Sequence, residues 1–188
     1  MPRKKTIADD NLLNAARSIF AERGFAAPTR DIARLAKVSE GLLFQRYRTK
    51  AELFFAAMVP PGISLAEQLR ASGDASFEES FRAAARAMLD YFRSAAPILA
   101  QLSTHPDFRF EEFASRHPQS ALVALRGELI RFFAQNRTPD PSGAALLLIS
   151  SLHGIAMFEH LGAYGGRLPA EFVDRAIQCA WLAVRPIA

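Results

Sequence analysis

Lys50 has the least ordinary placement in the chain. The run Thr49-Lys50-Ala51-Glu52 sets a hydroxyl and a carboxylate three residues apart, the pattern of a helix start. A lysine in that first turn faces the positive end of the helix dipole, which disfavours a cation by up to about 1 kcal/mol. A helix N-terminus is also an anion site, and a lysine there doubles that property. A bound phosphate would resolve the conflict, and so would a solvated side chain that swings away. The chemistry on offer is therefore recognition of an anion.

Covalent chemistry has no comparable support. The sequence contains no GxxxxGK, GxGxxG, HExxH or paired CxxC. Ser150, Ser151 and His153 crowd one helix too closely to serve as nucleophile and base. His153 and His160 lie seven residues apart, which is a weak metal spacing. No catalytic residue, metal site or cofactor is expected. A single cysteine, Cys179, excludes an internal disulfide framework and fits a reducing, cytoplasmic setting. The basic start Met1-Pro2-Arg3-Lys4-Lys5 runs into Asp9, Asp10 and Asn11 where a signal peptide needs an apolar core. The most apolar stretch, 143–158, holds Ser150, Ser151, His153 and Gly154 and ends at Glu159, so no membrane partner is expected.

Composition sets the class of elements that must position these groups. The 188 residues are 50 % apolar, enough for a sizeable core, with 34 alanines but only 5 valines and 5 threonines. Abundant alanine with few β-branched residues points to an all-α protein. Charge is unevenly placed. Residues 1–58 carry eleven Lys/Arg against six Asp/Glu, and residues 59–188 carry twelve against thirteen. A basic N-terminal region on a near-neutral body suits a polyanion-binding module, and equally a well-solvated N-terminus.

Within residues 1–58 the spacing predicts four helices. Thr6-Ile7-Ala8-Asp9 reads as a capping box, and Leu12, Leu13, Ala16, Ile19 and Phe20 form one helical face that Gly24 terminates. Pro28-Thr29 opens a short second helix, with Thr29 as its cap and Ile32, Ala33 and Ala36 inside. Lys37-Val38-Ser39 leads into a third helix capped by Ser39, with Leu43 and Tyr47 facing inward. Two short helices joined so tightly read as a helix-turn-helix, although spacing alone also fits a generic helical hairpin.

The residues Gly24-Phe25, Thr29-Arg30-Asp31-Ile32-Ala33, Val38-Ser39-Glu40-Gly41-Leu42-Leu43-Phe44 and Tyr47-Arg48-Thr49-Lys50-Ala51-Glu52-Leu53 resemble the TetR family of bacterial transcriptional regulators. The resemblance covers about residues 7–58. It implies a TetR-like all-α fold, with a three-helix helix-turn-helix DNA-binding domain at 1–58 and a larger helical domain for ligand binding and dimerisation at 59–188. Three positions depart from the family pattern. Lys37 replaces a usual turn glycine, where a left-handed backbone costs about 1 kcal/mol. Leu42 stands where a small polar residue is common, and Phe44 stands where tyrosine is common.

If Leu43 points inward, a rotation of about 100° per residue puts Gly41, Gln45 and Arg48 on the far side, flanked by Leu42 and Phe44. That face suits the major groove. Gln45 can pair with adenine, Leu42 or Phe44 can touch a thymine methyl, and Gly41 permits close approach. The resemblance further implies Glu40 near base edges, where it also fits as an N-terminal helix charge, and Thr29, Arg46 and Lys50 on phosphates. Arg3, Lys4 and Lys5 form an arm that suits a minor groove or a diffuse attraction.

Beyond Pro60-Pro61-Gly62 the stripes Phe77-Phe81-Ala84-Ala85-Met88-Phe92 and Leu122-Leu125-Leu129-Phe132-Phe133 predict further helices. Pro97 is expected to open a short one. Residues 142–161 read as a helix apolar nearly all round and buried on more than one side, and Pro169 opens the last. The aromatic stripes suit a small, largely apolar effector bound by Phe81, Met88, Phe92, Phe110, Phe113, Leu129, Phe133, His153 and Met157, with Tyr91 and Gln101 as further polar partners. A homodimer through the last two helices would use Leu148, Leu152, Ile155, Ile177 and Trp181. The expected function is a ligand-responsive regulator, a repressor on a double-stranded, near-palindromic operator. The competing reading is a helical carrier or enzyme with an incidental basic N-terminus.

Overall fold

The computed structural model describes residues 7–60, 75–117 and 121–186, and every regular element in them is an α-helix. In chain order these are α1 (Ile7–Arg23), α2 (Thr29–Leu35), α3 (Glu40–Arg46), α4 (Lys50–Ala57), α5 (Phe77–Thr104), α6 (Phe110–Arg116), α7 (Ala121–Gln135), α8 (Pro141–His160) and α9 (Ala170–Val184). The all-α class expected from composition is the class observed. The described residues group into two compact units, one of residues up to 60 with 97–116, the other of 75–96 with 121–186 and His117. Thr6 and the basic arm of Arg3, Lys4 and Lys5 lie outside the described residues, as do Pro61 and Gly62.

The first unit is organised by phenylalanine. Leu12, Leu13, Ala16, Ile19 and Phe20 of α1 meet Ile32 and Ala33 of α2, Leu43 of α3 and Leu53, Phe54 and Ala57 of α4. The Phe20 and Phe25 rings approach Phe54 edge-on at 5.1 and 5.3 Å. Gly24 ends α1 with φ +69°, and a Cβ there would stand 2.8 Å from the Gln101 side-chain oxygen. The left-handed backbone selects glycine here, while the Gln101 side-chain end can swing aside. Lys37 in the turn between α2 and α3 has φ +57°, the left-handed conformation expected for a family glycine position. Ile98, Leu102 and Phe113 complete this core.

Two local expectations are corrected. Thr29 is the first residue of α2, and its cap is Pro28, which makes no side-chain cap bond. Pro97 does not start a helix; it lies inside α5. Proline removes one helical hydrogen bond, but the apolar stripe runs on through Tyr91, Phe92, Ala95, Ile98 and Leu102, all buried, and that burial holds the helix together.

The second unit packs Phe81, Ala84, Ala85, Met88, Leu89 and Phe92 of α5 with buried residues of α7, α8 and α9. Trp181 of α9 lies 4.9 Å from Phe77 and 5.4 Å from Phe81. A bidentate ion pair crosses from α5 to α8. Arg93 Nε and Nη2 each donate to Glu159 at 2.8 Å, and the Leu168 N–H donates to the same carboxylate at 2.9 Å. The hydrogen bonds from Arg93, offset in part by burial, hold the Glu159 carboxyl below the usual range. Within the chain α8 is buried along one side. Ala144, Ala145, Leu148, Leu152 and Ala156 face inward, whereas Leu146, Leu147 and Phe158 are exposed. By length and composition alone it could cross a membrane, with a mean hydropathy of 1.5, the only such helix among the described residues.

Candidate nucleic-acid interface

α3 is short enough that its two ends dictate which residues face outward. Ser39 Oγ accepts the Leu42 N–H at 3.1 Å and fixes the start. Tyr47 is already extended and closes the helix with its N–H on the Leu43 carbonyl at 2.9 Å. Leu43 is fully buried, and it sets the rotation of the helix. Gly41, Leu42, Phe44 and Gln45 consequently form an exposed surface, as the rotation from Leu43 requires. Leu42 and Phe44 are large apolar residues at 37 % and 40 % exposure. Arg48 is exposed too, but α3 ends at Arg46, so Arg48 belongs to the link into α4 and not to the α3 face.

The charged residues around this surface are held in place by one another. Thr29 Oγ1 donates to Glu40 Oε1 at 2.6 Å, joining the starts of α2 and α3. Arg46 is turned onto Asp9 of α1 in an ion pair. Sequence reasoning missed that pair, because nothing local links two residues 37 positions apart. The α4 start follows the expected capping logic. Thr49 Oγ1 accepts the Glu52 N–H at 3.0 Å, and Glu52 accepts the Arg48 N–H at 2.9 Å. Lys50 stays in the first turn of α4 with its ammonium 4.9 Å above the Phe25 ring. Partial burial lowers its pKa. The Phe25 ring face offsets part of the unfavourable helix dipole.

The remaining candidate residues divide between the units. Phe81, Met88, Phe92, Leu129 and Phe133 are fully buried in the second unit. His153 and Met157 are half-buried on α8. Phe110 and Phe113 belong to the first unit, where Phe110 is exposed and Phe113 packs beside Phe108 at 5.9 Å. Gln101 also belongs to the first unit, against Gly24. The residues named for a dimer interface are placed differently from a contact surface. Leu148, Leu152, Ile177 and Trp181 are buried in the chain's own core, and Ile155 is half-buried. The large apolar residues left outside on these two helices and the link between them are Leu146, Leu147, Phe158, Leu161, Tyr164, Phe172 and Leu182. The signal for them was the outer stripe Leu147, Ser151, Gly154, Phe158, Leu161, which an all-round apolar helix hides.

Comparison with known proteins agrees with this geometry. Residues 12–57 match the family described as bacterial regulatory proteins, tetR family. A helix-turn-helix type transcriptional repressor of Mycobacterium tuberculosis is 40 % identical over 85 residues, 42 % of this chain and 45 % of that protein. The match thus spans less than half the length of either. A transcriptional regulator from Rhodococcus sp. Rha1 superposes with a TM-score of 0.72 at 21 % identity, covering 97 % of this chain and 100 % of the other. The fatty acid degradation regulator FadR from Bacillus halodurans superposes with a TM-score of 0.71 at 16 % identity, covering 95 % and 96 %. At these identities the two structures speak for the fold alone. Residues 12–57 are thus similar to the tetR family of bacterial regulatory proteins, and the chain shares the all-α fold of the superposed regulators.

Proposed function

We propose that this protein is a cytoplasmic, ligand-responsive transcriptional repressor that binds a near-palindromic operator as a homodimer. The observation that carries this reading is the exposed α3 surface of Gly41, Leu42, Phe44 and Gln45 standing on buried Leu43. It combines one amide suited to a base edge, two apolar side chains suited to thymine methyls, and a glycine that admits close approach. Lys50 at the α4 start and Thr29 at the α2 start supply backbone contacts around it. Residues 1–58 hold the DNA-binding function and residues 59–188 the effector and dimer functions.

The dimer uses the apolar residues that the chain itself leaves uncovered. Leu147, Phe158 and Leu161 line one side of α8 and its end, with Gly154 between them, and Phe172 and Leu182 stand out from α9. Clustered exposed apolar residues of this kind mark candidate interaction surfaces. Two helices from each copy would bury it in a four-helix interface. The effector is small and largely apolar, held by Phe81, Met88, Phe92, Leu129, Phe133, His153 and Met157. It acts by binding the DNA-free form more tightly, since equal affinity for both forms would shift nothing. A tenfold loss of operator affinity needs only about 1.4 kcal/mol of such coupling.

Sedimentation and footprinting test the reading together. The expected result is a dimer at micromolar concentration that protects two half-sites about 34 Å apart. A stable monomer, or retention of DNA irrespective of sequence, would contradict it.

A further inference from the structure

Tyr91 carries a hydroxyl that the folded chain leaves unused. The residue is 6 % exposed in the second unit, and its Oη has no hydrogen-bond partner among the described residues. An unpartnered buried hydroxyl is unfavourable, and native structures seldom keep one without a use. The surroundings explain why nothing in the helix satisfies it. At about 100° per residue, Ala84, Ala87, Met88 and Ala95 share its flank of α5, and none of them offers a hydrogen-bonding group. The polar residues of this stretch are turned elsewhere. Arg82, Arg86 and Arg93 lie roughly 140–180° round the helix from Tyr91 and are bound to Gln178, Asp174 and Glu159. The hydroxyl of Ser94 reaches the Tyr91 carbonyl, not its phenol.

Two further residues join Tyr91 to the aromatic region assigned to the effector. The Phe92 ring lies 5.4 Å from the Tyr91 ring and 5.5 Å from the His153 ring. We propose that the Tyr91 hydroxyl is the hydrogen-bond donor that anchors the effector in the second unit, and that the effector is an uncharged, mainly apolar molecule bearing a carbonyl-type acceptor. The inference rests on the effector reading above and narrows it. A phenol in apolar surroundings is a far better donor than acceptor, which selects an acceptor on the ligand. Burial pushes the Tyr91 pKa up to about 12 and lowers that of His153, so both groups stay neutral near pH 7. A charged ligand would find no opposite charge on this flank of α5.

The test compares the intact protein with Tyr91→Phe, which removes one oxygen and little else. Without ligand, Tyr91→Phe should melt at the same temperature as the parent or higher, because no hydrogen bond is lost. A clearly lower melting temperature would show that the hydroxyl is partnered, and would overturn the inference. The second arm uses a thermal-shift panel of matched ketone and hydrocarbon pairs, such as 2-acetylnaphthalene against 2-ethylnaphthalene and 4-phenyl-2-butanone against butylbenzene. The parent should bind ketones about tenfold more tightly than their hydrocarbon partners, and Tyr91→Phe should lose that preference. Equal binding within pairs, or a preference that survives in Tyr91→Phe, would overturn the anchor while leaving an apolar effector site standing. Stabilisation by charged compounds alone would overturn the effector reading itself, and this inference with it.

Discussion

The two units place their polar and apolar groups in opposite ways. In the first, the interior is purely apolar around Phe20, Phe25 and Phe54 apart from His105, and the surface of α3 carries the groups proposed to meet DNA. In the second, polar groups lie inside, as the Arg93–Glu159 pair and the Tyr91 hydroxyl, while leucine and phenylalanine stand outside on α8 and α9. On the proposed function, the first unit needs a rigid apolar interior beneath the exposed α3 face of Leu42, Phe44 and Gln45. On the same proposal, the second unit holds a small molecule and a second copy of itself, which suits polar handles in its interior and apolar surface left uncovered. The same forces act in both, and the difference lies in which partner each surface awaits.

The comparison is broken most severely at the two interiors. Phe54→Ala should destabilise the first unit by about 3–5 kcal/mol, since it removes a fully buried ring in contact with Phe20 and Phe25. Denaturant unfolding measures this, and DNA binding should disappear with it. In the second unit Glu159→Ala leaves a largely buried Arg93 with only its longer contact to the exposed Asp90 and should cost about 3 kcal/mol. Acid titration of the parent adds a sign. The folded Glu159 carboxyl titrates below its unfolded value of about 4.3, so the unfolded chain takes the proton first. Stability from this pair is complete above that value and is lost as pH falls through the folded pKa. The variant should show a flatter acid limb in a pH series of melting temperatures.

Surface changes should be smaller and selective. Gln45→Ala should leave stability alone and change the preferred base at one position by about 1–3 kcal/mol, read by selection from random sequences. Lys50→Ala should weaken all sites about equally and reduce the salt slope by roughly one per half-site. The smallest effect belongs to the turn. Lys37→Gly relieves a left-handed lysine and should stabilise the first unit by up to about 1 kcal/mol, less the extra backbone entropy of glycine in the unfolded chain.

How legible each unit was follows from the range of the forces that shape it. Helix starts at Ser39 and Thr49, the stop at Gly24 and the outward face of α3 are set by residues within four positions, so a linear reading recovers them, whereas the left-handed Lys37 is expected only from the family resemblance. Arg46 on Asp9 and Arg93 on Glu159 join residues far apart in sequence, and no local pattern announces them. Pro97 misled because proline usually ends a helix locally, whereas the apolar stripe continuing through Ile98 and Leu102 prevails here. On α8, leucine and phenylalanine all round gave no rotation, so inward Leu148 and Leu152 could not be told from outward Leu147 and Phe158.

Selection of bound fragments from random double-stranded DNA tests the central claim most directly. With the intact protein at about 0.1 M salt, the selected fragments should converge on an inverted repeat, and selection with Gln45→Ala should change the preferred base at one symmetric pair of positions. Retention without any enriched sequence, or the same repeat recovered unchanged with Gln45→Ala and with alanine in place of Leu42 and Phe44, would contradict the assignment of the α3 surface to operator recognition.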